Sequence, residues 1–273
     1  MLGDLADLGI EHLCISGGEL TLRTDWAKLV ATALEKVRGV AIITNGRLGQ
    51  RLLDAVEPMR GSERLTVIVS IDGRRDAHDA RRGVGSFDQA LELLEAPTRL
   101  GRTVLTTVAR DNAGELEPLA ELVEKLGVRE WSIQPAIPMG RMPPGEFLGE
   151  QGLIALADFI HGARARLAPR TRVSTNCTFG YFHTMRGGDA WQGCPAGRDH
   201  LVVLANGDVT GCVAVADWSS GNVRSEPISA IWEGSRMAAV RDVRPAGCAD
   251  CSRCVRGCEV MQTALRRQFC TLE

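Results

Sequence analysis

The first two-thirds of the chain alternate short apolar runs with longer segments in which apolar residues recur every three or four positions. The short runs predict β-strands, and the periodic segments predict amphipathic helices. The predicted strands cover residues 12–16, 40–44, 65–71, 102–108 and 130–136, and the predicted helices lie near residues 26–37, 87–94, 116–126 and 150–167. Strands that alternate with helices form a parallel sheet with right-handed crossovers, so we expect an α/β fold.

Local signals mark where these strands and helices end. Thr24 and Ser86 are placed as helix N-caps, and Gly127 stands where a helix-ending glycine is expected. Polar or glycine-containing turns follow the first three strands, with SGGE at 16–19, TNG at 44–46 and SIDG at 70–73. Because the carboxyl ends of parallel strands lie at one edge of a sheet, and binding sites are built there, we expect ligand binding at this edge.

The pattern changes near residue 170, after a proline- and glycine-rich segment at 138–147 and the last predicted helix. Helix–strand alternation stops there, and glycine and cysteine become frequent. We therefore divide the chain into a first domain at 1–170 and a small cysteine-rich α+β domain at 171–273. Asn206-Gly207, between two short alternating runs, predicts a β-hairpin with a two-residue type I′ turn. This hairpin would bring Cys212 within reach of Cys194.

Composition narrows the classes of function. The 273 residues carry a formal net charge of -2, with 44% hydrophobic and 24% charged residues, which is ordinary for a globular protein. This balance predicts neither a nucleic-acid nor a membrane partner. No apolar run reaches the roughly 18 residues that a bilayer requires, and the first residues lack the basic start and apolar stretch of a signal peptide. The cytoplasm is the expected compartment.

The cysteines carry the strongest chemical signal. Of the nine, seven lie between residues 194 and 270, whereas the first 176 residues contain only Cys14. In a reducing compartment, such a cluster favours metal or redox chemistry over disulfides. Cys14 itself lies in an apolar predicted strand, so we expect it to be a buried small hydrophobic residue and not a ligand.

The densest part of this cluster is the run Cys248-x2-Cys251-x2-Cys254-x3-Cys258. Its spacing is that of a ferredoxin cluster loop, in which three cysteines hold one iron–sulfur cluster and the fourth reaches another. Glu259 follows the run where the ferredoxin signature has proline, so the chain is not a plain ferredoxin. Paired CxxC units also form structural zinc sites, and zinc stays open as the alternative metal.

The C-terminal pattern resembles the SPASM domain of radical S-adenosylmethionine (SAM) enzymes. That domain carries a cysteine, a Gly-x4-Cys unit, a dense four-cysteine run and a final cysteine. The matching features here are Cys194, Gly207-x4-Cys212, the run from Cys248 to Cys258, and Cys270. One departure is that two residues separate Cys251 from Cys254, where the family usually has five, which changes the geometry expected of the cluster loop.

This resemblance implies two auxiliary [4Fe-4S] clusters. The implied ligands of the first are Cys194, Cys212 and Cys258, and those of the second are Cys248, Cys251, Cys254 and Cys270. Cys177 either completes the first set or leaves an open iron site. The crossing of Cys258 to the other cluster is also what the ferredoxin spacing suggests.

The first domain resembles the radical SAM core, which implies a partial (β/α)6 barrel that lacks its first strand. Ser16-Gly17-Gly18-Glu19 is similar to the motif that grips the methionyl amino group of SAM, with glycines for close approach and a carboxylate for the ammonium. The SIDG turn matches a later strand end, which implies that Ser70 and Asp72 lie near the nucleoside. HDARRG at 78–83 is similar to the family's HDxxRG, which implies that Arg82 approaches the SAM carboxylate.

The family's SAM-cleaving [4Fe-4S] cluster is held by a CxxxCxxC motif, and these 273 residues contain none. Two explanations stay open: either Met1 is a misassigned or artificial start, or the motif was lost and the protein no longer cleaves SAM. We expect the first, because a barrel without its first strand would leave an unpaired sheet edge. The third cluster is then expected only in a longer form, and the chain as printed is expected to be inactive.

The resemblance implies an oxidoreductase that modifies a ribosomally synthesised peptide or protein side chain. In that family, reduction of SAM yields a 5′-deoxyadenosyl radical that abstracts hydrogen from the substrate, while the protein positions the reactants. The expected partners are a precursor peptide or protein and an external electron donor. Two alternatives remain, a non-catalytic iron–sulfur module for peptide recognition or electron transfer, and a zinc-stabilised adaptor.

Overall fold

The computed structural model describes residues 2–137, 143–176, 195–213 and 218–242. Its larger part is a parallel sheet of six strands that follow one another in chain order. The strands are β1 (His12–Ile15), β2 (Gly39–Thr44), β3 (Leu65–Ser70), β4 (Gly101–Val108), β5 (Glu130–Pro135) and β6 (Arg172–Thr175). The accompanying helices are α1 (Leu2–Asp7), α2 (Trp26–Lys36), α3 (Gly49–Val56), α4 (Arg75–Arg82), α5 (Ser86–Glu95), α6 (Leu116–Leu126) and α7 (Glu150–Leu167). The predicted α/β partial barrel is confirmed.

The two faces of this sheet differ in chemistry, because successive side chains of a strand point to opposite faces. On one face, Val40, Ile42 and Val67 are fully buried in the main hydrophobic core. The other face, which we call the open face, carries half-buried residues such as Thr107 and Gln134, which are aligned partners on β4 and β5. Closed (β/α)8 barrels fill this side with bulky branched residues. Hydroxyl and amide groups here suit a polar ligand instead.

The helices cover the buried face because their apolar residues recur at helical spacing. On α2, Trp26, Val30 and Leu34 lie on one stripe and are each at most 2% exposed. Arg64, just before β3, donates hydrogen bonds to the carbonyl oxygens of Val37 at 2.8 Å and Leu34 at 2.5 Å. It therefore satisfies carbonyl groups that the end of an α-helix leaves without partners.

The sheet holds one strand more than the sequence predicted. β6 pairs in parallel with β5, with Trp131 opposite Val173, so the sheet extends past residue 170. The strand was missed because Val173 is its only apolar residue and is flanked by Arg172, Ser174 and Thr175. Our division of the chain at residue 170 stays a prediction, and β6 falls within the range that we assigned to the second domain.

The helix ends follow the predicted chemistry in part. Gly127 ends α6 in the left-handed conformation with φ of 60°, as expected. Two predicted caps are wrong by one residue, since α2 begins after Asp25 and α5 begins after Gly85. The capping of α5 comes from Asp79 on the preceding helix, which accepts from the backbone N–H of Phe87 at 2.8 Å and of Gly85 at 2.7 Å. A cap supplied from another helix leaves no signal in the local sequence.

Cys14 lies on β1, an edge strand of the sheet, and is exposed, so the expectation of a buried thiol is wrong. Only the alternate residues Leu13 and Ile15 pack against the core. Cys14 pairs in register with Ala41 on the open face, where helices do not cover it. An apolar strand sequence does not reveal that one of its faces is uncovered.

The smaller part of the structure is a three-stranded antiparallel sheet with two helices. Its strands are β7 (Val202–Val203), β8 (Asp208–Thr210) and β9 (Gly221–Asn222), and its helices are α8 (Ile228–Glu233) and α9 (Ser235–Asp242). Val209, Ile231 and Met237 form its own buried cluster, each at most 1% exposed. Among the residues that the structure describes, no helix is long and apolar enough to cross a bilayer.

The predicted hairpin forms between β7 and β8, but its turn is longer than predicted. The N–H of Gly207 donates to the carbonyl of Leu204 at 2.9 Å, and the N–H of Leu204 donates to the carbonyl of Asp208 at 2.8 Å. The loop is therefore 205–207, one residue longer than a type I′ turn, with Gly207 at φ of 93°. This matches a three-residue hairpin loop that ends on a left-handed glycine.

Candidate functional site

The turn after β1 exposes two glycines at the carboxyl edge of the sheet. Gly17 has φ of 131°, a conformation that side-chain-bearing residues rarely adopt. A Cβ atom added to Gly17 or Gly18 would find no other atom within 4 Å, so the space above both is open. Glycines packed against their surroundings look different: a Cβ on Gly46 would lie 2.6 Å from the Cα of Ala90. Backbone amides at 17–18 are therefore accessible to a ligand.

Glu19 links this turn to the end of the neighbouring strand. Its Oε1 accepts from the hydroxyls of Thr21 and Thr44, both at 2.9 Å, and its Oε2 accepts from the backbone N–H of Asn45 at 2.9 Å. The carboxylate thus ties the end of β1 to the end of β2. An ionised carboxylate offers about four acceptor positions. Oε2, with one donor among the described residues, can accept another from a ligand.

Ser70 and Asp72 stand at the end of β3 in different environments. The hydroxyl of Ser70 makes no hydrogen bond with any described residue, although Ser70 is only 5% exposed. Asp72 accepts from the guanidinium Nε of Arg82 at 2.7 Å and from the backbone N–H of Thr107 at 2.9 Å. The carboxylate of Asp72 is therefore bound within the protein, whereas the hydroxyl of Ser70 can still form hydrogen bonds with a ligand.

His78, on α4, is fully buried beside Asp72. Its Nδ1 accepts from the backbone N–H of Asp72 at 3.1 Å, and its Nε2 makes no hydrogen bond with any described residue. Burial, and next the nearby charge of Arg82, lower the pKa of His78 below its usual value. The ring is therefore neutral at pH 7 and packs edge-on against Phe87, with centroids 5.8 Å apart. The histidine supports the site and does not face a ligand.

Asp79 and Arg82 of the same helix have distinct contacts. Backbone N–H groups of Phe87 and then Gly85 lower the pKa of Asp79, which caps α5. Arg82 is ion-paired with Asp72 through Nε, and its side chain is 28% exposed. The two terminal nitrogens of Arg82 bond to nothing within the described part of the chain. They remain available for an anionic ligand.

Asn112 was not identified from the sequence, although it organises this edge. It is 1% exposed; its Oδ1 accepts from the N–H of Ala109 at 2.7 Å, and its Nδ2 donates to the carbonyls of Asp72 at 2.7 Å and Thr107 at 3.0 Å. It therefore holds the loops after β3 and β4 together. Asn112 sits in a polar loop segment, and the only available signal was its place just after a strand end.

A row of polar side chains continues from Thr107 along the open face. The Nε2 of Gln134 donates to the hydroxyl of Thr107 at 3.1 Å, and Asn176 lies beyond it, with its Nδ2 3.5 Å from the Oε1 of Gln134. All three side chains are half-buried. The sequence indicated Gln134 only as part of a strand. Its contact with Thr107 follows from the register of β4 and β5, which places the two residues side by side.

The smaller part positions Cys212 just after β8, where it is half-buried. A Cβ on the preceding Gly211 would lie 3.0 Å from the backbone nitrogen of Gly197 and 2.5 Å from Val240. The close backbone approach of Gly211 brings the segment before Cys212 against the segment that follows residue 194. Arg241 adds to this contact by donating to the carbonyl of Gly197.

The other predicted cluster ligands lie outside the described residues. They are Cys177, Cys194, Cys248, Cys251, Cys254, Cys258 and Cys270. Within residues 2–137, 143–176, 195–213 and 218–242, no group of three or more histidine, cysteine or acidic side chains could hold a metal ion. The predicted cluster assignment stays a prediction.

Two family models match the chain in the order that the sequence motifs predicted. Residues 1–123 match the radical SAM superfamily, and residues 194–255 match the SPASM iron–sulfur cluster-binding domain. The second match contains Cys194, Cys212 and three cysteines of the dense run. These two domains imply SAM and iron–sulfur clusters as cofactors.

Relatives in sequence extend over most of the chain. The mycofactocin maturase MftC of Mycolicibacterium smegmatis is 29% identical, over 94% of this chain and 68% of the relative. The AdoMet-dependent heme synthase of Nitratidesulfovibrio vulgaris is 27% identical, over 86% of this chain and 69% of the relative. This chain therefore spans about two-thirds of the length of the relatives that it matches.

Solved structures agree on the fold. Streptococcus suis SuiB bound to S-adenosylmethionine superposes with a TM-score of 0.74 at 15% identity, over 95% of this chain and 64% of SuiB. SuiB bound to its precursor peptide SuiA gives a TM-score of 0.71 at 14% identity, with the same coverage of 95% and 64%. From the two family matches, the chain belongs to the radical SAM superfamily and carries a SPASM domain.

Proposed function

We propose that this protein is a radical SAM/SPASM oxidoreductase that modifies a side chain of a ribosomally synthesised peptide or protein. The observation that carries the proposal is the arrangement at the carboxyl edge of the sheet. There the open backbone at Gly17 and Gly18 shares one edge with the hydroxyl of Ser70 and the terminal nitrogens of Arg82. Backbone amides, a hydroxyl and a guanidinium suit a nucleoside that carries an amino acid, as SAM does.

The residues divide the binding of SAM between them in this proposal. Gly17, Gly18 and the free acceptor position of Glu19 hold the methionyl ammonium, and Ser70 lies at the nucleoside. Arg82 pairs with the SAM carboxylate, because a guanidinium fork matches a carboxylate with two parallel hydrogen bonds. When reduced, bound SAM supplies a 5′-deoxyadenosyl radical that abstracts hydrogen from the substrate. The protein contributes orientation and excludes competing reactions.

The second domain holds two auxiliary [4Fe-4S] clusters in this proposal. Cys194, Cys212, Cys258 and, as a fourth candidate, Cys177 hold the first, and Cys248, Cys251, Cys254 and Cys270 hold the second. The contact of Gly211 with Gly197 supports the first assignment, because it brings the chain next to Cys212 against the chain next to Cys194. The cytoplasm suits these thiolate ligands, since its reducing conditions disfavour disulfides.

The CxxxCxxC motif is not among these 273 residues. We therefore assign SAM cleavage, and the third [4Fe-4S] cluster that it needs, to a longer form, and expect the 273-residue chain to bind SAM without cleaving it. The substrate is a precursor peptide in this proposal, and an external donor supplies the electron. A peptide substrate is supported by SuiB, whose fold this chain shares and which binds the precursor peptide SuiA. A tetrapyrrole is the second candidate, because a relative of similar identity is named a heme synthase.

The metal content of the reconstituted chain tests the cluster assignment. We expect about eight irons and eight sulfides per chain after anaerobic reconstitution, as two cubane clusters require. Electron paramagnetic resonance of the reduced sample checks the cluster type. Stoichiometric zinc without sulfide would overturn the iron–sulfur assignment and leave a zinc-bound adaptor.

A matched pair of glycine variants tests SAM binding at the proposed edge. Gly18→Val fills the open space beside the turn without meeting other atoms, so we expect the fold to persist and the affinity for SAM to fall by about tenfold or more. Gly162→Val is the control, because Gly162 also has open space around it but lies on α7, away from this edge. Isothermal titration calorimetry with SAM measures both. Equal affinity in the two variants contradicts the proposed site.

A further inference from the structure

Asp72 has every polar group engaged within the protein. Its two carboxylate oxygens accept from Arg82 and from the N–H of Thr107, its own N–H donates to His78, and its carbonyl accepts from Asn112. Its side chain is 3% exposed. A carboxylate has acceptor positions beyond two donors, but a side chain this buried gives a ligand no access to them.

Ser70, two residues earlier on the same strand end, is the opposite case. Its hydroxyl forms no hydrogen bond with any residue that the structure describes. Among the described residues, the fully buried side-chain polar atoms without a partner are the Nε2 of His78 and the Oγ1 of Thr175, so the Oγ of Ser70 reaches the surface and can bond to water or a ligand. Of the Ser70 and Asp72 pair, Ser70 is therefore the residue suited to touch a nucleoside.

The bond between Asp72 and Arg82 determines the orientation of the arginine. A guanidinium is planar, so a hydrogen bond of 2.7 Å at Nε restricts the positions that both terminal nitrogens can take. Neither terminal nitrogen forms a hydrogen bond with a residue that the structure describes. Arg81 also approaches Asp72, with its Nε 4.0 Å from the carboxylate, but its Nη1 is paired with Asp111. Both terminal nitrogens of Arg82 are left as donors, against one in Arg81.

The support around Asp72 is independent of a ligand. His78 and Asn112, both buried, hold the backbone of Asp72, and Thr107 on β4 holds its second carboxylate oxygen. A carboxylate fixed from three elements cannot move out to a ligand without leaving buried groups unpaired. It can, however, hold Arg82 in one orientation before the ligand arrives, which lowers the cost of binding.

We propose that Asp72 is a positioning residue, which orients Arg82 toward the carboxylate of SAM and makes no contact with the nucleoside. This inference rests on the proposed function, since it takes Arg82 as the partner of the SAM carboxylate. It replaces our sequence-based expectation that Asp72 lies against the nucleoside. The nucleoside contact at this strand end is then left to Ser70.

Two ligands separate the alternatives. SAM carries the methionyl carboxylate, whereas 5′-methylthioadenosine shares its nucleoside and sulfur but lacks the amino-acid part. Isothermal titration calorimetry of the anaerobically reconstituted 273-residue chain measures both. In Asp72→Asn, Thr107 keeps an acceptor, but an amide donor meets the Nε of Arg82. We expect about a tenfold or larger loss of SAM affinity, typical of a lost charge-assisted bond, and unchanged affinity for 5′-methylthioadenosine.

Arg82→Gln and the double variant complete the cycle. If Asp72 acts through Arg82, both single variants lose similar SAM affinity and the double variant loses no more than either one. Ser70→Ala is the matched control, and we expect it to lower the affinities for SAM and for 5′-methylthioadenosine by the same factor. Equal losses of both ligands in Asp72→Asn, or additive losses in the double variant, would overturn the positioning role.

A measurement without ligand keeps the proposal testable by itself. In the wild-type chain, nuclear magnetic resonance should show an Arg82 Nε–H signal that exchanges slowly with water. The signal should be lost in Asp72→Asn while the backbone amide spectrum persists. An Arg82 Nε–H that exchanges as fast as that of the exposed Arg99 overturns the positioning role. Failure of the wild-type chain to bind either ligand refutes the proposed function instead, so the two failures are distinguishable.

Discussion

Asn112 is the buried side chain whose removal we expect to affect the candidate site most. Asn112→Ala leaves three backbone groups without partners: the N–H of Ala109 and the carbonyls of Asp72 and Thr107. Each buried group that loses its partner costs about 1–3 kcal/mol. Such losses are not additive, because water enters and loops relax, so we expect a total of about 3–5 kcal/mol.

This loss is a large part of the stability of a domain, which is about 5–15 kcal/mol. Asn45→Ala is the matched control, since Asn45 accepts a single, exposed hydrogen bond from the N–H of Arg47 at 2.9 Å. We expect the control to cost less than about 1 kcal/mol. Both variants lose one asparagine side chain at the same edge of the sheet, so the difference between them reports the buried hydrogen bonds that Asn112 makes and Asn45 does not.

Guanidinium chloride unfolding measures the free energy, and hydrogen exchange with mass spectrometry locates the change. The midpoint should fall in Asn112→Ala while the slope with denaturant is preserved, because the surface exposed on unfolding is unchanged. Exchange should accelerate in peptides that span 101–112 and remain as in the wild type on α7. A loss below about 0.5 kcal/mol, or exchange that is unchanged at Ala109, would refute the assignment of these bonds as the support of the edge.

Three further predictions follow from single contacts. Because burial lowers the pKa of His78, its neutral form stabilises the fold above about pH 6.5, and this contribution is lost as the pH falls through the folded-state pKa. Urea unfolding between pH 7.5 and 5 should show a free energy of unfolding that decreases as the pH falls, and the decrease should be smaller in His78→Gln. Arg64→Met should lower the free energy of unfolding by about 1–2 kcal/mol, because the bonds to two helix-end carbonyls are lost. The control Arg60→Met removes an exposed side chain and should change this free energy little. Gly211→Ala should lower iron per reconstituted chain, because its Cβ meets backbone and Val240, whereas Gly162→Ala should not.

The sequence was sufficient for the first five strands because each carries apolar residues at the positions that face the core. β3 and β5 carry Val67, Val69, Trp131 and Ile133, all at most 1% exposed, and such runs are hard to misread. β6 has one buried apolar residue, Val173. It lies at the edge of the sheet, where a strand is stable with fewer buried apolar residues, so its sequence carries a weaker signal. Helix α4 was missed for a related reason: of its eight residues only His78 is buried, so no apolar stripe exists to be recognised.

The site was predictable as a location but less so as a set of roles. SGGE and SIDG mark the correct edge because strand ends are local in sequence. The partners of Asp72, however, come from α4, from β4 and from the loop at Asn112, up to 40 positions away. A sequence motif shows that a carboxylate is present and does not show whether the protein itself already occupies it. The exposure of the side chain and the donors around each of its oxygens answer that question for Asp72.

The carboxylates and amides at this edge have a common physical task. Parallel strands are not joined by hairpins, so neighbouring strand ends have no short turn that fixes one against the next. Glu19 joins the ends of β1 and β2, Asp72 joins those of β3 and β4, and Gln134 joins β5 to Thr107 on β4. With the strand ends tied by side chains, the groups left for a ligand are the backbone at 17–18, one acceptor position on Oε2 of Glu19, the hydroxyl of Ser70 and the terminal nitrogens of Arg82. A binding site is most precise when the groups that touch the ligand are held by others that do not. On this argument, the acidic residues of such motifs are better tested first as supports of the site than as contacts to the cofactor.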